Sequence, residues 1–197
     1  MSQVAATMGK TMGEMAEEVG TVDTAWGTFS GNLRDYAQFL GSNTAFSASQ
    51  AADALNYMAL AGYDAQTSMQ MLPNVLNLAA AGSLDLAYAS DMITDSQTAL
   101  GLSLEETNVL VDQMAKTAST TNTSVGQLGE AILTLGGTAQ FMFSDIENGI
   151  PVTNELNKVL GVLADNGIKG SEAGTHMRNM LLKLRSEERF SRNAETD

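Results

Sequence analysis

Apolar residues in this chain recur at i, i+3, i+4 and i+7, and almost none alternate at period two. That spacing lines one stripe of an α-helix, so the chain must bury its apolar surface by packing helix on helix. Val4, Met8, Met12, Met15 and Val19 form a first stripe that stops at Gly20, and a weaker helix is expected over roughly Trp26 to Leu40, ending at Gly41. Ser47 and Gln50 have capping-box spacing, in which each side chain bonds the other residue's free backbone N–H. Ala51, Leu55, Met58, Ala59 and Gly62 follow as a narrow, small-residue face. Asp64 is expected to cap the next helix, which carries Leu72, Val75, Leu76 and Ala79. Pro73 inside it predicts a kink or a new first turn.

Beyond Gly82 and Ser83 a stripe runs through Leu84, Tyr88, Ala89, Met92, Ile93 and Leu100 to Gly101. Ser103 with Glu106 and Ser124 with Gln127 make two further capping boxes. The first precedes Leu104, Val111, Met114, Ala115 and Ala118, and the polar run Ser119 to Ser124 reads as a loop. The second precedes Leu128, Ile132 and Leu135, closed by Gly136 and Gly137. Residues 138 to 152, with Phe141, Met142, Phe143, Ser144, Asp145, Asn148, Gly149 and Pro151, read as a loop or short insertion. Leu156, Val159, Leu160 and Leu163 then mark a helix stopping at Asn166-Gly167, and Ser171 caps a last one with Ala173, Met177, Met180, Leu181 and Leu184. The expected fold is all-α, an antiparallel array of about 8–9 short helices with Gly-rich turns. Ala51, Ala59, Gly62, Ala79, Ala80 and Ala81 are expected to let helices approach closely.

Composition narrows the function. A formal charge of −13, from 10 basic and 23 acidic residues, opposes binding to a nucleic-acid backbone, which needs a Lys/Arg surface. Zero Cys removes disulfides, thiolate catalysis and Cys-ligated zinc. A membrane span needs about 18 consecutive apolar residues, and the richest stretch, Val75 to Ala89, is broken by Asn77, Gly82, Ser83 and Asp85. Gly9, Lys10, Glu14, Glu17 and Glu18 interrupt any signal-peptide apolar region.

Residues able to carry chemistry are sparse. His176 is the single histidine and reads as solvent-facing or helix-terminal rather than as a metal ligand. Gly167-Ile168-Lys169-Gly170-Ser171 lacks the order of a phosphate loop and no strand precedes it, so it reads as a tight helix–helix turn. Glu17-Glu18, Glu105-Glu106 and the pair Asp91 and Asp95 read as solvated faces, not as carboxylates opposed across a cleft. No catalytic, metal or cofactor-binding residue is assigned, and no enzyme is expected. Twelve Met fall largely on the apolar stripes and suit a pliable core; a rearranging partner surface is the functional rival.

From about Thr44 the sequence resembles the core region of phage tail tape measure proteins. The resemblance is carried by Ala45-Phe46-Ser47-Ala48, then Leu55-Asn56-Tyr57-Met58-Ala59-Leu60-Ala61-Gly62-Tyr63 and Leu72-Pro73-Asn74-Val75-Leu76-Asn77-Leu78. Ala99-Leu100-Gly101-Leu102, Asn122-Thr123-Ser124-Val125 and Leu163-Ala164-Asp165-Asn166-Gly167-Ile168-Lys169-Gly170-Ser171 continue it in the family's order. It implies a structural role: a segment of the protein that sets tail length and guides tube assembly, lying in the virion tail lumen after assembly in the host cytoplasm. It implies as partners the tail tube protein, tail assembly chaperones and other copies of itself, with no specific nucleic-acid binding and membrane contact only during genome ejection. The rival readings are a membrane-active helical module aiding genome delivery and a generic helical interaction module. Residues 1–43 match loosely and are expected as an N-terminal helical segment, with Met1 in mid-helix context, and 44–184 as the core region. Residues 185–197 resemble the in-frame translation of a sequencing adaptor, so a non-native tail is expected after Leu184. Setting aside its three Arg and four acidic residues leaves 7 basic against 19 acidic.

Overall fold

A computed structural model describes the backbone of residues 1–17, 20–143 and 149–194. Helices α1 (Ser2–Thr7) and α2 (Met12–Glu17) lead into strands β1 (Gly20–Thr24) and β2 (Gly27–Gly31). Then come α3 (Leu33–Asn43), α4 (Ala48–Leu60), α5 (Ala65–Gly82), α6 (Leu86–Leu100), α7 (Leu104–Thr120), α8 (Val125–Leu135), α9 (Gly137–Phe143), α10 (Gly149–Asp165) and α11 (Gly170–Ala194). Among the described residues the fold is all-α apart from one hairpin, as the period of the apolar residues requires. The chain divides into two compact units, residues 1–95 and 96–197.

In the first unit the leading stripe is broken. The N–H groups of Gly9 and Lys10 turn back onto the carbonyls of Ala6 and Ala5, which closes α1 before Met8 and Met12 can share a helix; Val19 lies outside the described residues. The helix expected from Trp26 starts only at Leu33, because 20–31 form an antiparallel hairpin pairing Val22 with Phe29. Thr21-Val22-Asp23-Thr24 and Thr28-Phe29-Ser30 alternate and are rich in β-branched residues, which favours strand. The turn residues Ala25 and Trp26 keep negative φ, and Gly27 at φ 120° supplies the reversal. Phe29 fixes the hairpin to α3, its ring 5.0 Å from Tyr36 and 5.3 Å from Phe39.

The helix starts follow the expected chemistry. Ser47 with Gln50, Ser103 with Glu106 and Ser124 with Gln127 all form reciprocal capping boxes. Asp64 accepts from the Thr67 N–H at 2.7 Å, and that bond holds its carboxyl below the usual carboxylate range. Five helix ends share one device. At Gly9, Gly62, Ser83, Gly101 and Gly167 the residue takes positive φ, and the next N–H bonds a carbonyl five residues back, the Schellman ending.

Helix α5 runs through Pro73 without ending there. Proline has no N–H, so the Met69 carbonyl one turn earlier loses its helical donor. The hydroxyl of Tyr36 donates to that carbonyl instead, at 2.9 Å, and burial pushes the Tyr36 hydroxyl well above its ordinary pKa. Ala51, Ala59 and Ala79 are buried as expected of small-residue contacts, whereas Gly62, in the turn after α4, and Ala80 and Ala81, in the last turn of α5, are exposed.

In the second unit, 137–143 are helical where a loop was expected, and α10 already begins at Gly149. Residues 144–148 and the side chains of Phe141, Met142 and Phe143 lie outside the described residues. Helix α11 starts at Gly170, so Ser171 sits inside its first turn rather than capping it. Glycines set the closest approaches: Gly161 of α10 lies against the methyls of Thr117 and Thr121, and Gly174 of α11 against the Ala131 carbonyl and Thr134 of α8. Met15, Met58, Met69, Met71, Met92, Met114 and Met177 are buried, so most methionines with described side chains serve the core.

Candidate interaction surface

The residues singled out for chemistry do not converge. His176 is exposed and stands 3.8 Å from Glu172, one turn before it on α11. Gly167 and Gly170 both take positive φ in the turn between α10 and α11, as a tight connection requires, and Lys169 is part of that turn. Asp91 and Asp95 lie one turn apart on the exposed side of α6. Partial burial, then the neighbouring Asp95 charge, raise the Asp91 carboxyl above its usual range. Tyr63 is raised by burial and by the same Asp95. Two carboxylates on one helix face share a field but do not flank a substrate. Among the described residues no group of three His, Cys, Asp or Glu is placed to hold a metal ion. No helix there is long and apolar enough to cross a membrane.

What the structure offers is surface. A cleft of about 400 Å³ opens in the first unit between α2 and α3, lined by Met12, Met15, Asn32, Arg34, Asp35 and Gln38 among others. Asn32 ties its walls together. Its amide nitrogen donates to the Ala16 carbonyl at 3.3 Å and to the Asp35 carboxylate at 3.0 Å, while its oxygen caps α3 through the Asp35 N–H. No local pattern announces this cleft, since it depends on the break at Gly9 and on the hairpin that re-aims the chain.

Large apolar side chains also stand in solvent. In the first unit these include Tyr57 and Leu60 on α4 and Tyr88 on α6. In the second, Val159 is 38% and Val162 62% exposed on α10, and Met180, Leu182 and Leu184 are exposed on α11. Singly such residues are ordinary; adjacent on a helix face, they mark a surface that another element can cover. The second unit also buries a polar strip where α7 meets α10. Asn157, 2% exposed, donates to the Thr153 carbonyl at 2.9 Å and to Gln113 at 3.4 Å, and its own oxygen has no partner.

Residues 34–196 match the family described as phage-related minor tail protein. The tape measure protein of Pneumococcus phage Dp-1 is 34% identical over 184 residues, covering 93% of this chain and 14% of that protein. The probable tape measure protein of Escherichia phage P2 is 29% identical over 154 residues, covering 78% of this chain and 18% of that protein. The chain thus spans a minor part of the length of both relatives. No solved structure matches it.

Proposed function

The chain belongs to the phage-related minor tail protein family, and from that premise we propose that it is a core segment of a tape measure protein, a structural component of a phage or prophage tail. The observation that carries the reading is the match to a tape measure protein across 93% of this chain. In this role residues 44–184 contribute a folded helical module to a far longer chain that sets tail length. The module lies in the tail lumen beside other copies of itself and the tube protein, and tail assembly chaperones attend it in the host cytoplasm before assembly. Its charge of −13 suits a lumen that DNA later passes, since an acidic surface repels the phosphate backbone.

The test is genetic and visual. An in-frame deletion of the codons for 44–184 is made in the phage or prophage, and particles are measured by electron microscopy. Shortened tails, or an assembly arrest without tails, support the proposal. Helical rise of about 1.5 Å per residue sets the scale of shortening if this stretch lies extended. Infectious particles with tails of unchanged length would refute it.

A further inference from the structure

The second unit contains one helical hairpin twice. Helices α7 and α10 each have 17 residues. Their starts, their ends and the starts of α8 and α11 are all offset by 45 residues. Buried positions correspond within one residue of that offset: Leu110 with Leu156, Met114 with Leu160, Gly129 with Gly174. The two copies also pack in one sense. Gln113 meets Asn157, Thr117 and Thr121 meet Gly161, and the Asn122 N–H donates to the Asp165 carboxylate at 2.7 Å. Both residue numbers rise together, so α7 and α10 are parallel. This is the geometry of a stack, in which each hairpin lies on the previous one by a repeated displacement.

A stack has a forward face at every step. Helix α7 presents Gln113 and Thr117 to α10. The buried positions inside the two helices, Leu110 with Leu156 and Met114 with Leu160, run 46 apart, and in that register Gln113 and Thr117 correspond to Val159 and Leu163 of α10. The face that is covered and polar in the first hairpin is therefore apolar in the second, with Val159 38% exposed. The charges flanking it, Glu155 and Lys158, pair with each other at 2.7 Å and leave Val159 the dominant feature.

We propose that this face of α10 seats a third helical hairpin of the same polypeptide, laid parallel to α10 as α10 is laid on α7. The proposal rests on the reading of the chain as a segment of a longer tail protein, of which it spans 14% in one relative and 18% in another. A second copy of the chain is the poorer occupant. To extend the stack it would have to offer the backward face of its α7, where Val111 is already covered at 2% exposure, and two bodies of charge −13 repel.

The chain has no cysteine, which makes the test direct. Val159→Cys is introduced into this 197-residue chain and into the full-length protein with any native cysteine changed to Ser, and labelling by a maleimide is timed. Asp112→Cys, on the exposed side of α7, serves as the control for folding and access in both. Labelling at 159 that is comparable to that at 112 in the 197-residue chain, but at least about tenfold slower in the full-length protein, is the expected result. Fast labelling at 159 in both overturns the proposal. Slow labelling in the 197-residue chain that deepens with protein concentration assigns the face to a second copy and overturns it as well. The labelling contrast reads stacking alone and the tail measurement reads function, so one can fail without the other.

Discussion

Ser83 is the one described residue other than glycine with positive φ, and it stands where four other helices of the chain use glycine. A Cβ in the left-handed region costs on the order of 1 kcal/mol. Ser83→Gly is therefore expected to raise unfolding free energy by about 0.5–1 kcal/mol, measured by urea titration. Tyr36 gives a second test. Tyr36→Phe leaves the Met69 carbonyl buried without a donor and should cost about 1–2 kcal/mol. In a Pro73→Ala background the restored amide N–H serves that carbonyl, so the same change should cost less; equal costs in both backgrounds would break the link. The caps were legible from sequence because a capping box needs only two residues three apart. The Tyr36 bond was not, because nothing local connects Tyr36 to the proline that frees its acceptor.

At the scale of elements, glycines of opposite meaning sit in one unit. A Cβ on Gly174 would collide with the Ala131 carbonyl oxygen and with Thr134, so Gly174→Ala forces α8 and α11 apart and should cost more than about 2 kcal/mol. Gly137, at the start of α9, has open space where its Cβ would be, and Gly137→Ala should instead stabilise by about 0.5 kcal/mol through helix propensity. Thermal unfolding monitored by far-UV circular dichroism separates the two signs. Period located eight of the helices, α3 to α8, α10 and α11, but missed the hairpin, for a physical reason. Its alternating runs are only three or four residues long, and Ala25-Trp26 carries none of the Asn-Gly chemistry that announces a two-residue turn. The valines on α10 show the complementary limit. Val159 belongs to an apolar stripe by sequence, yet which part of a stripe stays uncovered depends on neighbours the local pattern does not name.

For the whole molecule, a charge of −13 on 197 residues makes self-repulsion a standing cost of folding, one that salt relieves. Raising sodium chloride from about 20 mM to about 500 mM should increase the melting temperature by a few degrees; a lower melting temperature would contradict this. The all-α class was legible because every stripe carries the same period, whereas the parallel stacking of α7 on α10 was not, since short links disclose only the relation between consecutive helices. The division at 95/96 has an optical consequence. The single tryptophan, Trp26, and all four tyrosines, 36, 57, 63 and 88, belong to the first unit, and the second holds only phenylalanine. Intrinsic fluorescence and near-ultraviolet dichroism therefore watch one half of this chain and are blind to the other, while the amide signal sums both. A melt followed by the two methods together is a built-in comparison of the halves: superimposable curves mean they lose structure as one, and separated curves assign the earlier transition to a named half without any label.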